Sequence, residues 1–181
     1  MGAESLSQTY APSAVSAASS PPFSDPRAST PPLYTPEERA RRDASPWTRV
    51  QGVLAAVQFV VFLLSLALVL RCLVSGEGAV AANASIVLKT VTLYTIMVTG
   101  AIWEREVFGQ FLFARPFFWE DVVSMGVIAL HTAYMVLLLR GAPTVTLMLV
   151  ALVAYAAYAV NAAQFVWKLR RARIDRAAEQ A

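Results

Sequence analysis

Apolar positions in this chain run in long unbroken blocks, not in the strict alternation of a half-buried strand or the narrow stripe of a soluble helix. Val50 to Leu70, Val122 to Leu139 and Thr144 to Trp167 contain no Asp, Glu, Lys or Arg. Each block is long enough to cross about 30 Å of hydrocarbon as a helix. A fourth block, Ala79 to Trp103, is interrupted by Lys89. The pattern places Lys89 towards one end of that block, where its ammonium would snorkel to the interface. The expected fold is therefore all-α: a polytopic membrane protein with a bundle of four transmembrane helices, spanning about 50–71, 79–103, 121–139 and 144–167.

The polar residues at the edges of these blocks set the orientation. Arg39, Arg41, Arg42 and Arg49 precede the first span, and Lys168, Arg170, Arg171, Arg173 and Arg176 follow the last. Basic residues are retained on the cytoplasmic side, so both termini are expected there and the number of spans must be even. The connection from Trp103 to Asp121 is then also cytoplasmic, and the turns near Gly76 and Gly141 face outward.

Outside the blocks the pattern changes. Residues 1–32 are rich in Ser, Ala and Pro and lack periodicity, which predicts a disordered tail. Residues 33–176 form the expected membrane domain, and 177–181 a short C-terminal tail. Thr35-Pro36-Glu37-Glu38 reads as an N-cap, a first-position proline and an acidic first turn, opening a short helix on the membrane surface. Pro46 and Trp47 mark the interface. The first apolar block starts only near Val50, so an uncleaved anchor is expected in place of a cleavable signal. Pro116 interrupts any helix after Trp103, and a new one should begin near Trp119.

At 181 residues and 57% apolar content the chain is one domain, too oily for an ordinary soluble protein. Its net charge of +3 comes from the clusters flanking the spans, which is no basic face for nucleic acid. Cys72 is the only cysteine, so neither a disulfide framework nor a thiolate metal site is expected, and packing is its role. Phosphate-binding glycine loops, CxxC pairs, HExxH and nucleophile elbows are missing from the sequence. Asn83-Ala84-Ser85 fits the glycosylation pattern, but a three-residue match carries no weight.

The informative polar groups sit between Gly100 and Ser124. Glu104, Glu106, Glu120 and Asp121 are four of the chain's 12 acidic residues, gathered at the junction of two apolar blocks. Ionisable groups at a bilayer boundary are costly enough that they are read first as functional, although interfacial charges at helix ends are the plainer account. Aromatic residues surround them: Trp103, Phe108, Phe111, Phe113, Phe117, Phe118 and Trp119. Most of these fit an aromatic belt at the headgroups, and some would wall a pocket for a flat ligand.

Helical phase orders the candidates. Glu120 and His131 are eleven residues apart and share a face, with Ser124 between them and Tyr134 close to the same stripe. Thr92, Thr95 and Thr99 form a stripe that reaches Glu106 if the helix continues, while Glu104 and Asp121 point elsewhere. Phase alone thus favours Glu106 and Glu120. His131, the only histidine, falls near mid-membrane as a hydrogen-bond partner between helices, a proton donor or an axial ligand to a metal. Tyr155, Tyr158 and Asn161 occupy one arc of the last span, and Gln51, Gln58 and Ser65 recur at intervals of seven on the first. Both sets are candidates for a polar interior.

The strings LYTPEERARRDASPWTRVQG, LYTIMVTGAIWEREVFGQFLFARPFFWEDVVS, ALHTAY around His131 and NAAQFVWKLR resemble the 3-vinyl bacteriochlorophyllide hydratase family, termed 2-vinyl in older ring numbering. The resemblance runs from about Leu33 to Arg173. It implies a hydro-lyase of bacteriochlorophyll biosynthesis that adds water across the C3-vinyl group of chlorophyllide a or a related bacteriochlorophyllide, giving a 1-hydroxyethyl group. Protonating the terminal vinyl carbon leaves a cation that the macrocycle delocalises, and water adds there. A neutral carboxylic acid and an ionised carboxylate supply the two proton transfers. Glu104, Glu106, Glu120 and Asp121 are the catalytic pool, with Trp103, Trp119, His131, Tyr134, Tyr155, Tyr158 and Asn161 as the substrate-binding set.

The resemblance further implies no cofactor and no metal of the protein's own. His131 is a candidate axial ligand to the substrate's magnesium, but Glu120 is about 16 Å along the same helix, further than a vinyl group lies from the magnesium of one chlorin. The implied location is the bacterial inner, intracytoplasmic membrane, with the bilayer and neighbouring bacteriochlorophyll-pathway enzymes as partners. Two other classes fit the bare residues: a non-enzymatic pigment-binding or photosystem assembly protein, and a proton-coupled carrier. The carrier reading lacks the paired broken helices that would support it.

Overall fold

The computed structural model describes residues 33–179, with side chains through residue 174. The expectation of disorder over 1–32 lies outside the described residues. Five helices follow in order: α1 (Pro36–Ala44), α2 (Pro46–Ser75), α3 (Ala79–Phe108), α4 (Phe118–Leu139) and α5 (Thr144–Glu179). Among the described residues there is no strand. α2 to α5 are each long and apolar enough to cross a membrane, as the hydropathy blocks require.

Local chemistry explains where the helices begin and end. The Thr35 hydroxyl accepts the Glu38 N–H at 3.2 Å while the Glu38 carboxylate accepts the Thr35 N–H at 2.8 Å, a reciprocal capping box that starts α1. Ser45 closes α1 and opens α2: its N–H donates to the Arg41 carbonyl, and its hydroxyl accepts the Trp47 N–H at 3.2 Å. Pro46, the first helical residue of α2, supplies no N–H where none is needed. α3 runs past Trp103 to Phe108 and stops at Gly109, whose φ of 82° is left-handed and costs a glycine little.

Two short turns fold the spans into antiparallel hairpins, α2 with α3 and α4 with α5. Both hairpins pack closely, α2 also meets α5, and α3 meets α4 along a sparser seam. The result is an up-down-up-down bundle. Its core holds Phe62, Val69, Ile86, Leu93, Val127, Tyr134, Met148 and Tyr155, and Ala82, Ala151 and Ala154 let backbones approach. Val53, Leu64, Val80, Leu88, Val153 and Val160 point outward, the exterior a lipid-facing bundle needs.

One expectation is corrected. Lys89 does not snorkel: it is fully buried at the centre of the bundle. Ten residues separate it from the start of α3, about 15 Å of helix, which is more than its side chain can span to reach water on that side.

Candidate functional site

The C-terminal end of α3, the segment 109–117, the first turn of α4 and the second half of α5 converge at one end of the bundle, and the acidic residues meet there. Glu104 on α3 and Asp121 on α4 are 5% and 4% exposed. Their side chains hydrogen-bond one another. The two carboxyls thus lie against one another, and only a pair with one protonated and one ionised member can make that hydrogen bond. Each also accepts a backbone N–H from the intervening segment: Ala114 donates to Glu104 Oε2 at 3.1 Å and Phe113 to Asp121 Oδ2 at 2.8 Å.

Phe113 is the only non-glycine among the described residues with a positive φ, 60°. Such a conformation costs about 1–3 kcal/mol and persists only where its surroundings impose it. Here the Asp121 carboxyl holds its N–H, so strain is stored directly beside the acid pair.

Glu120 is equally buried but engaged differently. Lys168 on α5 reaches its Oε2 at 2.5 Å and also donates to the Pro116 carbonyl. Glu120 and Asp121 occupy the first turn of α4, where the helix dipole favours negative charge. Glu106 is exposed and accepts the Ser45 hydroxyl at 2.6 Å, tying α3 to the junction of α1 and α2. Phase favours Glu106 and Glu120, yet the two carboxyls brought into contact are Glu104 and Asp121.

Aromatic rings cluster at the same end of the bundle. Tyr34 stacks on Phe108 with centroids 5.8 Å apart, Trp103 meets Phe108 and Phe117 edge-on, and Phe117 stacks on Phe165. The Trp103 indole donates to Thr48 Oγ1 at 3.0 Å. Trp119, by contrast, is 69% exposed and turns away from this cluster.

A second polar layer lies deeper. Asn161 donates to Ser124 at 2.8 Å, one turn below Asp121. Ten residues below Asp121, about 15 Å, His131 is fully buried. Its Nδ1 faces the Val127 carbonyl at 2.9 Å. A carbonyl only accepts, so in the neutral ring Nδ1 carries the hydrogen and Nε2 presents a lone pair, which has no partner in the structure. The ring faces Tyr155, whose hydroxyl shares a 2.5 Å hydrogen bond with Ser65. Lys89 donates to Gln58 Oε1 and sits 3.4 Å above the Tyr158 ring. Tyr134 is deeper still, donating to Asn83 at 2.7 Å. Gln51 pairs with Thr99 at 2.7 Å, so all three members of the heptad-spaced set on α2 make interhelical contacts.

Sequence reasoning missed Lys89, Lys168, Tyr34 and the backbone of 113–114 as parts of this arrangement. Lys89 had a signal: a charge ten residues into a span costs about 3 kcal/mol on insertion scales, too much for an unused group. Lys168 resembled an ordinary interfacial cation, and the backbone donors left no trace in side-chain pattern.

Comparison with known proteins identifies the family. A family model described as 2-vinyl bacteriochlorophyllide hydratase matches residues 34–171. The chain is 63% identical over 149 residues to the 2-vinyl bacteriochlorophyllide hydratase of Rhodobacter capsulatus, covering 82% of this chain and 87% of that one. It is 64% identical over 148 residues to the protein of the same name from Cereibacter sphaeroides, covering 82% and 92%. No solved structure matches.

Proposed function

The chain belongs to the 2-vinyl bacteriochlorophyllide hydratase family, and on that premise we propose that Glu104 and Asp121 are the acid and base of the hydration. Membership makes the protein a hydro-lyase of bacteriochlorophyll biosynthesis, not a pigment carrier or assembly factor. The observation that carries the catalytic reading is the contact between two buried carboxyls from different helices, at the end of the bundle where the aromatic cluster lies.

The protonated member of the pair gives its proton to the terminal vinyl carbon. The cation left beside the ring spreads into the macrocycle, and a water oxygen bonds to it. The other carboxylate takes the proton that this water loses. Because the two carboxyls share a hydrogen bond, that proton passes back across it and the pair is reset, with no oxidant or reductant consumed. Lys168 pairs with the neighbouring Glu120, so that carboxyl is engaged elsewhere and is not the partner of either member of the pair.

The aromatic cluster of Trp103, Phe108 and Phe117 supplies flat surfaces for a flat substrate. His131 is too far from Asp121 to hold the magnesium of a pigment whose vinyl group meets the acid pair, and we leave it to the deep layer. The basic residues that precede the first span and follow the last support a cytoplasmic mouth in the bacterial inner membrane, where pigment is exchanged with neighbouring pathway enzymes.

The test is conversion in membranes containing the expressed protein and unesterified vinyl pigment. A product heavier by one water, with a blue-shifted red band, is expected from the natural chain and not from Glu104→Gln. Pigment that binds without being hydrated by the natural chain defeats the reading.

A further inference from the structure

One face of α5, beside the acid pair, carries two acceptors that no donor answers. Asn161, Gln164 and Lys168 are spaced by three and four residues, so they share a face of that helix. Contacts with α4 fix both ends of the stripe: Asn161 Nδ2 donates to Ser124 at 2.8 Å, and Lys168 pairs with Glu120. Gln164 therefore falls between the layers of Ser124 and Glu120, as Asp121 does on α4. Asp121 contacts Glu104 and is also close enough to Lys168 to feel its charge, so the stripe and the pair are neighbours. Asn161 Oδ1 and Gln164 Oε1 are both buried, with no donor among the described residues. Asn161 as a whole is 7% exposed. A buried acceptor without a donor is costly, and two on one stripe mark a place suited to a small donor. Water is such a donor, and water is the second reactant.

We propose that Asn161 Oδ1 and Gln164 Oε1 hold the water that adds to the vinyl group, and so ensure that the cation is captured before it reverts to vinyl. The inference rests on the reading of Glu104 and Asp121 as acid and base. Distance supports it. Ser124, which anchors Asn161, is three residues beyond Asp121, about 4.5 Å along α4. That is within reach of a two-carbon group protonated at the pair. The water gives one hydrogen to the amide oxygens and turns the other to the ionised carboxylate, which leaves its lone pairs for the cation. When its oxygen bonds to the carbon beside the ring, the O–H facing the carboxylate breaks, and the pair regains the proton it gave to the terminal carbon. A carboxamide oxygen accepts a hydrogen bond without taking the proton, so neither amide competes with the base. Both also set the negative ends of their dipoles near the cation.

The experiment follows deuterium in membranes containing the full-length protein, with the vinyl pigment supplied in heavy water. A cation that reverts loses a proton from its methyl carbon and returns as vinyl pigment labelled at the terminal carbon, whereas a captured one leaves as labelled product. Mass spectra at early times count both. With the natural chain nearly all the label should be in the product. Gln164→Met and Asn161→Leu should each raise the ratio of labelled vinyl pigment to product by about fivefold, the loss of one hydrogen bond to the water. A purely structural role would lower both amounts in step and leave the ratio as it was. Gln164 is only half-buried, so Gln164→Met decides alone where Asn161→Leu does not fold. A ratio that Gln164→Met does not move overturns the proposal. Glu104→Gln should abolish both labelled species; if it leaves both, the acid and base reading fails, and the ratio still judges the water.

Discussion

Glu104 and Asp121 lie on different helices, seventeen residues apart in the chain, yet their carboxyls share a hydrogen bond while each grips one of two consecutive backbone amides, Ala114 and Phe113. The segment 109–117 is thus closed onto the pair that it connects. This geometry makes the two carboxyls one unit, and units of that kind respond to substitution in characteristic ways.

Glu104→Gln and Asp121→Asn each keep an oxygen to accept the backbone N–H but abolish the acid–base exchange. Each alone should lower the hydration rate by about 10²–10⁴-fold, and the double substitution should cost little more than either single one. Initial rates in membranes of matched protein content measure this. Additive losses would mean that the carboxyls act separately.

A proton shared by the pair would have a spectroscopic signature. Infrared spectra of the natural protein should contain the C=O stretch of a protonated carboxylic acid, shifted on exchange into heavy water. Asp121→Asn and Glu104→Gln should each remove it, whereas Glu106→Gln, at an exposed position, should leave it in place. A band that survives both substitutions within the pair would place the proton elsewhere.

Lys168→Met strands Glu120, which is 6% exposed, beside the partly exposed site of its lost partner. The loss should be about 1–3 kcal/mol, between the values for exposed and fully buried pairs. Adding Glu120→Gln to Lys168→Met should recover part of it. Thermal unfolding in detergent across the four proteins gives the coupling.

Trp103→Phe keeps the ring contacts with Phe108 and Phe117 but deletes the indole donor to Thr48. A loss of about 1 kcal/mol is expected, with hydration largely retained. Trp103→Ala removes the ring wall as well and should raise KM. If Phe and Ala behave alike, the hydrogen bond and not the ring is what matters at this position.

Much of the architecture is legible along the chain. Four spans follow from hydropathy because the bilayer imposes a minimum helix length, and the α1 start follows from Thr35 and Glu38 because the capping box is local. The strings from Leu33 to Arg173 point to the family that the comparisons show. The candidate site was legible only as a pool of carboxylates. Helical phase compares residues on one helix and favours Glu106 and Glu120, but the contact that forms is between helices.

The sequence by itself determined the number of spans, the capped entry helix and the kind of chemistry available, since each depends on residues close in the chain or on the thickness of a membrane. Tertiary structure alone decided which carboxyls come into contact, that Lys168 pairs with Glu120, and that Lys89 is buried against Gln58 and Tyr158 instead of reaching water. The physical reason is that hydrogen bonds and ion pairs are set by distances of a few ångströms between helices. Those distances follow from the path of segment 109–117 and from how the two hairpins pack, which no periodicity within a single helix contains.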